Sequence, residues 1–424
     1  MANIDILEQR EKRQADVFKR LEAYDCVIMI KVNYPGNQKL NAYTFYVAHT
    51  IIKHLITQLD LSFDITYSVE GVIAITQSTR DGIKCKHVCV SIESNHPLGR
   101  LIDLDVYTKQ GQIKRTDLGY SPRKCYICED VAVGCVRSQK HPIHKIKHYF
   151  HQLVIDHARH SYQEMVRFAA MAELSVHPSF GLVTPTSSGI HSDMDVNTYL
   201  LSIETIAPYF DQIATIDYTT SDSSIFLQLR QLGIQIEAAM FKATQNINTH
   251  KGLIFLMLLV LGAVHHQKTQ SIVDSIKQLS KPLLNDFDDQ SSDTSGKIWY
   301  QTHGILGIRG LALDGLSLMF SDFIPYYLSL KDKDDHNDAL IMTLLEIMSK
   351  LDDTTVLKRG GLNGLAWLKQ TSRLVINNPS QWQEFSNKCK QRQISPGGSA
   401  DVLAVVVLYA SFFYDSNKEG HDED

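Results

Sequence analysis

Hydrophobic periodicity changes once along this chain, near residue 155, and that change limits the fold more than any other feature. Before it, short runs rich in β-branched residues alternate with helical segments. Helices are expected over 4–24 and 42–59, and strands over 26–33, 64–69, 71–76 and 88–93. A further strand runs through Asp103 and Asp105, and a Tyr34-Pro-Gly-Asn37 turn ends the first. No regular strand–helix–strand period appears, so this part is α+β. Beyond residue 155, apolar residues recur at helical spacing over 155–174, 197–213, 224–243, 251–266, 272–279, 316–330, 338–351, 364–375 and 399–414. The expectation is a multidomain chain: an α+β domain over 1–154, then an all-α domain over 155–424. Residues 284–297, with Asp286, Asp288, Asp289 and Asp293, form an acidic surface loop, and the charged end at 417–424 frays.

Composition excludes several classes. A net charge of −5 argues against a general nucleic-acid binder. The longest apolar run, 253–264, is too short to cross a bilayer and is interrupted by Gly262, so no membrane association is expected. No apolar stretch follows a basic start, so no signal peptide is expected. The cysteines number seven, an odd count with three clustered, which suits a reducing cytoplasm better than a disulfide framework.

Two clusters carry chemistry in the first part. In His96-Pro-Leu-Gly-Arg-Leu-Ile-Asp-Leu-Asp-Val106, Asp103 and Asp105 are two residues apart and share one face of a strand. Carboxylates so placed repel unless a cation lies between them or one keeps a proton, and Mg²⁺ beside a phosphate is the economical reading. Arg100 adds a fork for phosphate or carboxylate. The plainer alternative is an edge strand with two solvated acids. In Arg123-Lys-Cys125-Tyr-Ile-Cys128, followed by Cys135 and His141, the spacing resembles a compact structural zinc knuckle, against the alternative of a turn with buried thiols. A basic stretch from Lys140 to His148 is read as a solvated face.

In the second part the polar signals lie in joints between helices. His191, Asp193 and Asp195 close a polar loop that starts at Gly181. Asn248-Thr-His250-Lys251-Gly252 opens the most apolar helix, where free N–H groups and a positive dipole end suit phosphate. Gly307-Ile-Arg309-Gly310, Asp352-Asp353-Thr-Thr and Arg359-Gly-Gly361 follow. Ser395-Pro-Gly-Gly-Ser-Ala-Asp401 opens a second apolar helix, with Gly397 and Gly398 allowing a nest of N–H groups. Capping explains any one of these loops. Together they point to a polyphosphate pocket.

On these motifs, residues 8–150 resemble the holo-citrate lyase synthase family (apo-citrate lyase phosphoribosyl-dephospho-CoA transferase), through the segment 96–106, Pro122-Arg123-Lys-Cys125-Tyr-Ile-Cys128, and Cys135-Val-Arg137 with His141. Residues 157–415 are similar to triphosphoribosyl-dephospho-CoA synthase, through Gly181-Leu-Val183, Gly189-Ile-His191-Ser-Asp193-Met194, Asn248 to Gly252, Arg309-Gly310, Asp353-Thr354, Arg359-Gly-Gly361 and Ser395 to Asp401. Against the family pattern, Ser179-Phe180 stand before Gly181, Asn246 replaces a glycine, Leu311 an acidic residue and Thr355 an asparagine.

The resemblance implies a bifunctional transferase. The second domain would take ATP and 3′-dephospho-CoA, join the dephospho-CoA ribose 2′-hydroxyl to C1 of the ATP ribose, and release adenine. Glu173, Asp193 and Asp353 are its candidates for base and Mg²⁺ ligands. His191, Asn248, His250, Lys251, Arg309, Arg359, Ser395, Gly397, Gly398 and Asp401 would bind substrate. The first domain would pass the phosphoribosyl-dephospho-CoA group to a serine of the citrate lyase acyl carrier (gamma) subunit and release pyrophosphate. There Asp103 and Asp105 would hold Mg²⁺ in a nucleotidyltransferase-like manner, with Arg100 and Arg123 on the diphosphate. Two alternatives are the same chemistry for malonate decarboxylase, and a second domain that binds nucleotide without turning it over.

Overall fold

The computed structural model describes residues 2–266, 271–285, 305, 307–331 and 336–414. The end at 417–424, and the acidic loop from residue 286 on, lie outside the described residues. The chain divides into two compact units, Met1–Ala158 and Arg159–Asp424.

The first unit is built on a five-stranded sheet in the order β2-β3-β1-β4-β5, with β1 Cys26–Val32, β2 Asp64–Ser68, β3 Gly71–Ser78, β4 Ile102–Thr108 and β5 Gly111–Ile113. Every neighbouring pair is antiparallel. Alternation sorts the side chains. On one face, Val27, Met29, Ile73, Ile75 and Tyr107 pack against Val17 and Leu21 of helix α1 (Ala2–Leu21). Register sets Lys31 opposite Asp103 and Met29 opposite Asp105, so both acids extend this face. The other face, with Ile28, Ile30, Ala74, Leu104 and Val106 fully buried, is covered by α2 (Ala42–Leu59) and α3 (Gly82–Asn95). Asn41 and Thr44 form a capping box at the start of α2.

The strand expected over 88–93 is a correction. Val88, Val90 and Ile92 alternate like a strand, yet they lie inside α3. Burial there follows Cys85, Cys89, Ile92 and Lys86, Val90, Glu93, the three-to-four spacing of a helix packed on a sheet. The helix has a further use. β5 is short and leaves the backbone N–H and carbonyl of buried Leu104 in β4 without a strand partner on that side. Glu93 accepts its N–H at 2.9 Å, and the Lys86 ammonium donates to its carbonyl at 2.7 Å. Two buried charged side chains thus replace a missing strand. Short α4 (Ala132–Arg137) and α5 (Ile143–Ala158) complete the unit.

The second unit is helical throughout the described residues: α6 Tyr162–Leu174, α7 Val196–Ile206, α8 Asp222–Ala243, α9 Lys251–His266, α10 Ile272–Ser280, α11 Gly307–Leu313, α12 Ile324–Lys331, α13 His336–Lys350, α14 Thr354–Val375, α15 Trp382–Gln391 and α16 Gly397–Phe412. Helix α16 is apolar on every side and sits at the centre, against α6, α9 and α13. The helix expected over 155–174 breaks at 159–161, where Ser161 caps α6. The one expected over 197–213 gives way after Ile206 to a 3₁₀ segment, Ala207–Thr215, with Pro208 at its start. The helix expected over 364–375 starts ten residues earlier and is kinked at Gly361, whose φ is +60°. Among the described residues, no helix is long and apolar enough to cross a membrane.

Candidate functional sites

In the second unit, the joints singled out in the sequence meet around the N-terminal ends of α9, α14 and α16. Asp401, one turn into α16, lies over Gly252 at the start of α9. A Cβ on Gly252 would stand 2.1 Å from the Asp401 Oδ2, so only glycine leaves room for this carboxyl. The Leu253 N–H donates to Asp401. Burial pushes the Asp401 carboxyl well above the usual carboxylate range, and nearby Glu173 and Asp353 add to it. Glu173, near the end of α6, is 7% exposed and has no hydrogen-bond partner among the described residues; burial raises it to about 8. Burial therefore favours the protonated form of Glu173 in this floor at neutral pH, and the Asp401 carboxyl is shifted in the same direction.

Asp353 has another task. Its Oδ1 accepts from the Thr355 N–H at 2.9 Å and the Val356 N–H at 3.3 Å, capping α14. Its Oδ2 accepts from the Ser399 N–H at 2.8 Å and the Ser399 hydroxyl at 2.9 Å, capping α16. Thr355 completes the joint, accepting from the Gly397 N–H at 2.9 Å and donating to the Ser395 carbonyl at 3.1 Å. The N–H groups of Gly397 and Gly398 thus already have internal acceptors, Gly398 at 3.4 Å from Thr355 Oγ1.

The polar loop reaches the start of α16. His191 Nε2 lies 3.4 Å from the Ser395 hydroxyl, and its Nδ1 is 4.0 Å from exposed Asp193. Burial and the nearby Arg359 guanidinium lower the His191 pKa, and Asp193 opposes them. Arg359 is exposed and has no ion pair among the described residues. Tyr199 of α7, which the sequence reading passed over, feels the charges of Glu173, Asp401 and Asp193, and burial first of all raises its phenol. Its ring packs edge-on against His250, 4.9 Å between centroids. The only sequence signal for Tyr199 was its place one turn after the Asp195 cap. His250 is buried, shares Nδ1 with Ser202 at 2.7 Å and Thr249 at 3.1 Å, and burial lowers it to about 3. Its Nε2 is buried without a partner.

Asn248 accepts the Lys251 N–H at 3.2 Å as a cap, while the Lys251 ammonium pairs with Glu237 at 2.8 Å. Lys251 and Arg309 line a cavity of about 400 Å³ between α8, α9 and α11, whose body is apolar. Arg309 has no ion pair among the described residues.

In the first unit, Asp103 and Asp105 project from one face of β4. Asp103 is paired with Arg123 at 3.0 Å, and Asp105 accepts from Gln112 at 2.8 Å. Burial raises the Asp105 carboxyl and the Asp103 charge adds to it. Arg123 also contacts Glu93 and donates to the Ile102 carbonyl at 2.7 Å. Arg100 spends its fork on the Lys124 and Cys125 carbonyls, at 2.9 and 2.8 Å.

Those carbonyls belong to the loop that carries the thiols. Cys125, Cys128, Cys135 and His141 bring one ligand atom each within 4.8 Å of the others. Cys128 Sγ is 3.5 Å from Cys135 Sγ and 3.3 Å from His141 Nε2. A tetrahedral zinc with bonds of about 2.3 Å to sulfur sets its ligand atoms roughly 3.8 Å apart, so the donor set and its spacing suit that ion.

The family model for ATP:dephospho-CoA triphosphoribosyl transferase matches residues 159–419. That for apo-citrate lyase phosphoribosyl-dephospho-CoA transferase matches residues 2–157. The chain is 32% identical to Protein CitXG of Haemophilus influenzae over 448 residues, covering 96% of this chain and 95% of the relative. It is 26% identical to Protein CitXG of Leuconostoc mesenteroides subsp. cremoris, covering 96% of each. It is 29% identical to the 2-(5''-triphosphoribosyl)-3'-dephosphocoenzyme-A synthase of Haemophilus ducreyi, covering 68% of this chain and 100% of the relative.

Proposed function

Because the chain belongs to the ATP:dephospho-CoA triphosphoribosyl transferase family, joined as in its two fused relatives to an apo-citrate lyase phosphoribosyl-dephospho-CoA transferase, we propose a division of two reactions between its two units. The chain is a transferase that makes triphosphoribosyl-dephospho-CoA and uses it to modify apo-citrate lyase. Citrate lyase is the target carried by the family description, so malonate decarboxylase and a non-catalytic second unit are the weaker readings.

In the second unit the ribose hydroxyl of 3′-dephospho-CoA bonds to C1 of the ATP ribose as the bond from C1 to adenine breaks. The hydroxyl proton goes to Asp193 on the polar loop. A carboxyl of the floor, Glu173 or Asp401, protonates the departing adenine. The observation that carries this assignment is the contrast in exposure: Glu173 is buried with no partner for its side chain among the described residues, while Asp193 is exposed on the polar loop. Arg309, Arg359 and Lys251 supply cations for the triphosphate. His191, Asn248, His250, Ser395, Gly397 and Gly398 shape the pocket, and Asp353 ties its two helix ends together.

In the first unit a serine hydroxyl of the citrate lyase gamma subunit bonds to the innermost phosphorus as the bridging P–O bond breaks. Pyrophosphate carries off the electron pair, and the serine proton is lost to buffer. Asp103 and Asp105 offer the hard oxygen donors that suit Mg²⁺, and burial first, then the Asp103 charge, raises the Asp105 carboxyl, which a cation beside it would oppose. Such an ion supplies charge neutralisation at phosphate in the manner of nucleotidyltransferases. Arg123 and Arg100 steady the diphosphate. Cys125, Cys128, Cys135 and His141 hold a structural zinc, and free thiols suit a cytoplasmic setting. The test supplies the full chain with ATP, dephospho-CoA and the apo gamma subunit. Adenine release together with a mass gain of one phosphoribosyl-dephospho-CoA group on the subunit is expected. Absence of either product removes the unit assigned to it.

A further inference from the structure

The first unit contains a cavity of about 1000 Å³, walled in part by Arg100, Arg123, Cys125, Cys135 and His141 of the sequence motifs. That volume admits a nucleotide-sized ligand. Its wall is strongly basic: Lys39, Arg100, Arg115, Arg123 and Lys124 line it, and Glu93 is the sole carboxylate among the described lining residues. The positive charges are unequally compensated. Lys124 pairs with Glu129, and Arg123 is held by Glu93 and Asp103. Lys39 donates to the Tyr34 carbonyl at 2.9 Å, and Arg100 to two carbonyls of the thiol loop. Those acceptors are neutral carbonyls, and burial, with Lys31 and Arg10 nearby, disfavours the Lys39 charge that an anion would restore.

Arg115 is the least satisfied group. It sits in a short 3₁₀ turn, Arg115–Leu118, with its Nη1 3.8 Å from Glu93, a carboxylate already engaged by Arg123 and the Leu104 N–H. Its Nε is buried with no hydrogen-bond partner. The buried Nε is out of reach of a ligand, but the guanidinium is 22% exposed and offset only by this shared carboxylate, so it leaves positive charge on the cavity wall for an anion to neutralise. Asp103 and Asp105 stay outside the wall. Arg123 joins the two places, because it lines the cavity and is bonded to Asp103.

We propose that this cavity seats the outer phosphates of the triphosphoribosyl precursor, with Lys39, Arg100 and Arg115 as the cations that hold the departing diphosphate. The reacting phosphorus then lies toward Arg123 and Asp103. The proposal rests on the reading of the first unit as the transferase. Arg115 becomes a determinant of affinity for polyphosphate substrates, and the thiol loop, gripped by Arg100, is part of the cavity wall.

The test uses the full chain, ready-made triphosphoribosyl-dephospho-CoA and the apo carrier subunit, with inorganic tripolyphosphate as competitor. In Arg115→Gln, the KM for the precursor and the inhibition constant of tripolyphosphate should rise together, about tenfold, the loss expected of one charge-assisted contact. The kcat should change less than threefold, and adenine release by the second unit should stay at the wild-type rate. Arg115→Lys should recover part of the loss. Lys39→Gln, which lines the same cavity and lies outside the 3₁₀ turn, should raise both constants in the same way, so a misfolded Arg115 variant leaves the question decidable. Wild-type KM and inhibition constants in a folded Arg115→Gln or Lys39→Gln protein overturn the proposal. A wild-type chain that never modifies the carrier overturns instead the transferase reading beneath it.

Discussion

Glu173 offers the sharpest test of the catalytic floor. The perturbation is Glu173→Gln, which keeps volume and removes the titrating proton. In the folded unit burial holds this carboxyl neutral up to about 8, whereas its ordinary value is 4.5. An unfolded chain therefore gives up the proton at lower pH than the folded one. Wild-type stability falls as pH rises from 4.5 to about 8 and levels above it. At 1.36 kcal/mol for each pH unit, the full span is worth about 5 kcal/mol, and relaxation of a buried site brings the expected figure to about 2–4 kcal/mol. The glutamine variant lacks this slope. Relative to wild type it should gain about 2–4 kcal/mol between pH 5 and pH 9, whatever fixed cost its buried amide adds at both. All three tryptophans, Trp299, Trp367 and Trp382, lie in the second unit, so their fluorescence during urea unfolding reports that unit by itself. With Glu173 as the proton donor to adenine, wild-type adenine release declines above about pH 8. Equal stability differences at pH 5 and pH 9 would refute the argument, because Glu173 would then titrate alike in the folded and unfolded states.

Gly252→Ala places a methyl group 2.1 Å from the Asp401 carboxyl; it should cost roughly 2–4 kcal/mol of stability in urea unfolding and abolish adenine release, and a variant with wild-type activity would detach Asp401 from the site. The Cys125, Cys128, Cys135 and His141 cluster should carry one zinc per chain by elemental analysis, and a chelator should lower the melting temperature of the first unit while leaving tryptophan-detected unfolding unchanged. Asp105→Asn should release adenine normally yet fail to modify the carrier, whereas Asp193→Asn should do the reverse when given ready-made precursor. A mixture of the two should restore the pathway through the diffusible intermediate, and loss of both activities in either folded variant would point to one composite site.

Local features of this protein follow from local sequence. Helices α2 and α9 run over the residues whose spacing marks them, because a 3.6-residue period is a property of near neighbours. Asp103 and Asp105 share a face of β4 because strand side chains alternate, and the thiols meet His141 because a short chain closes easily. Tertiary structure decided the rest. The alternation at Val88, Val90 and Ile92 reads as a strand, and the local signal against it is Asp81, which caps α3 by accepting the Lys84 N–H at 3.0 Å. Packing on the sheet made it a helix and turned Glu93 and Lys86 into edge caps. Asp353 resembles a catalytic acid in its motif. Only the approach of Ser399, forty-six residues on, shows both oxygens spent on two helix ends. The raised carboxyls of Glu173 and Asp401 and the unmatched Arg115 nitrogen have the same origin. Desolvation and pairing depend on which distant segments come to surround a group, and no spacing rule within one segment encodes that.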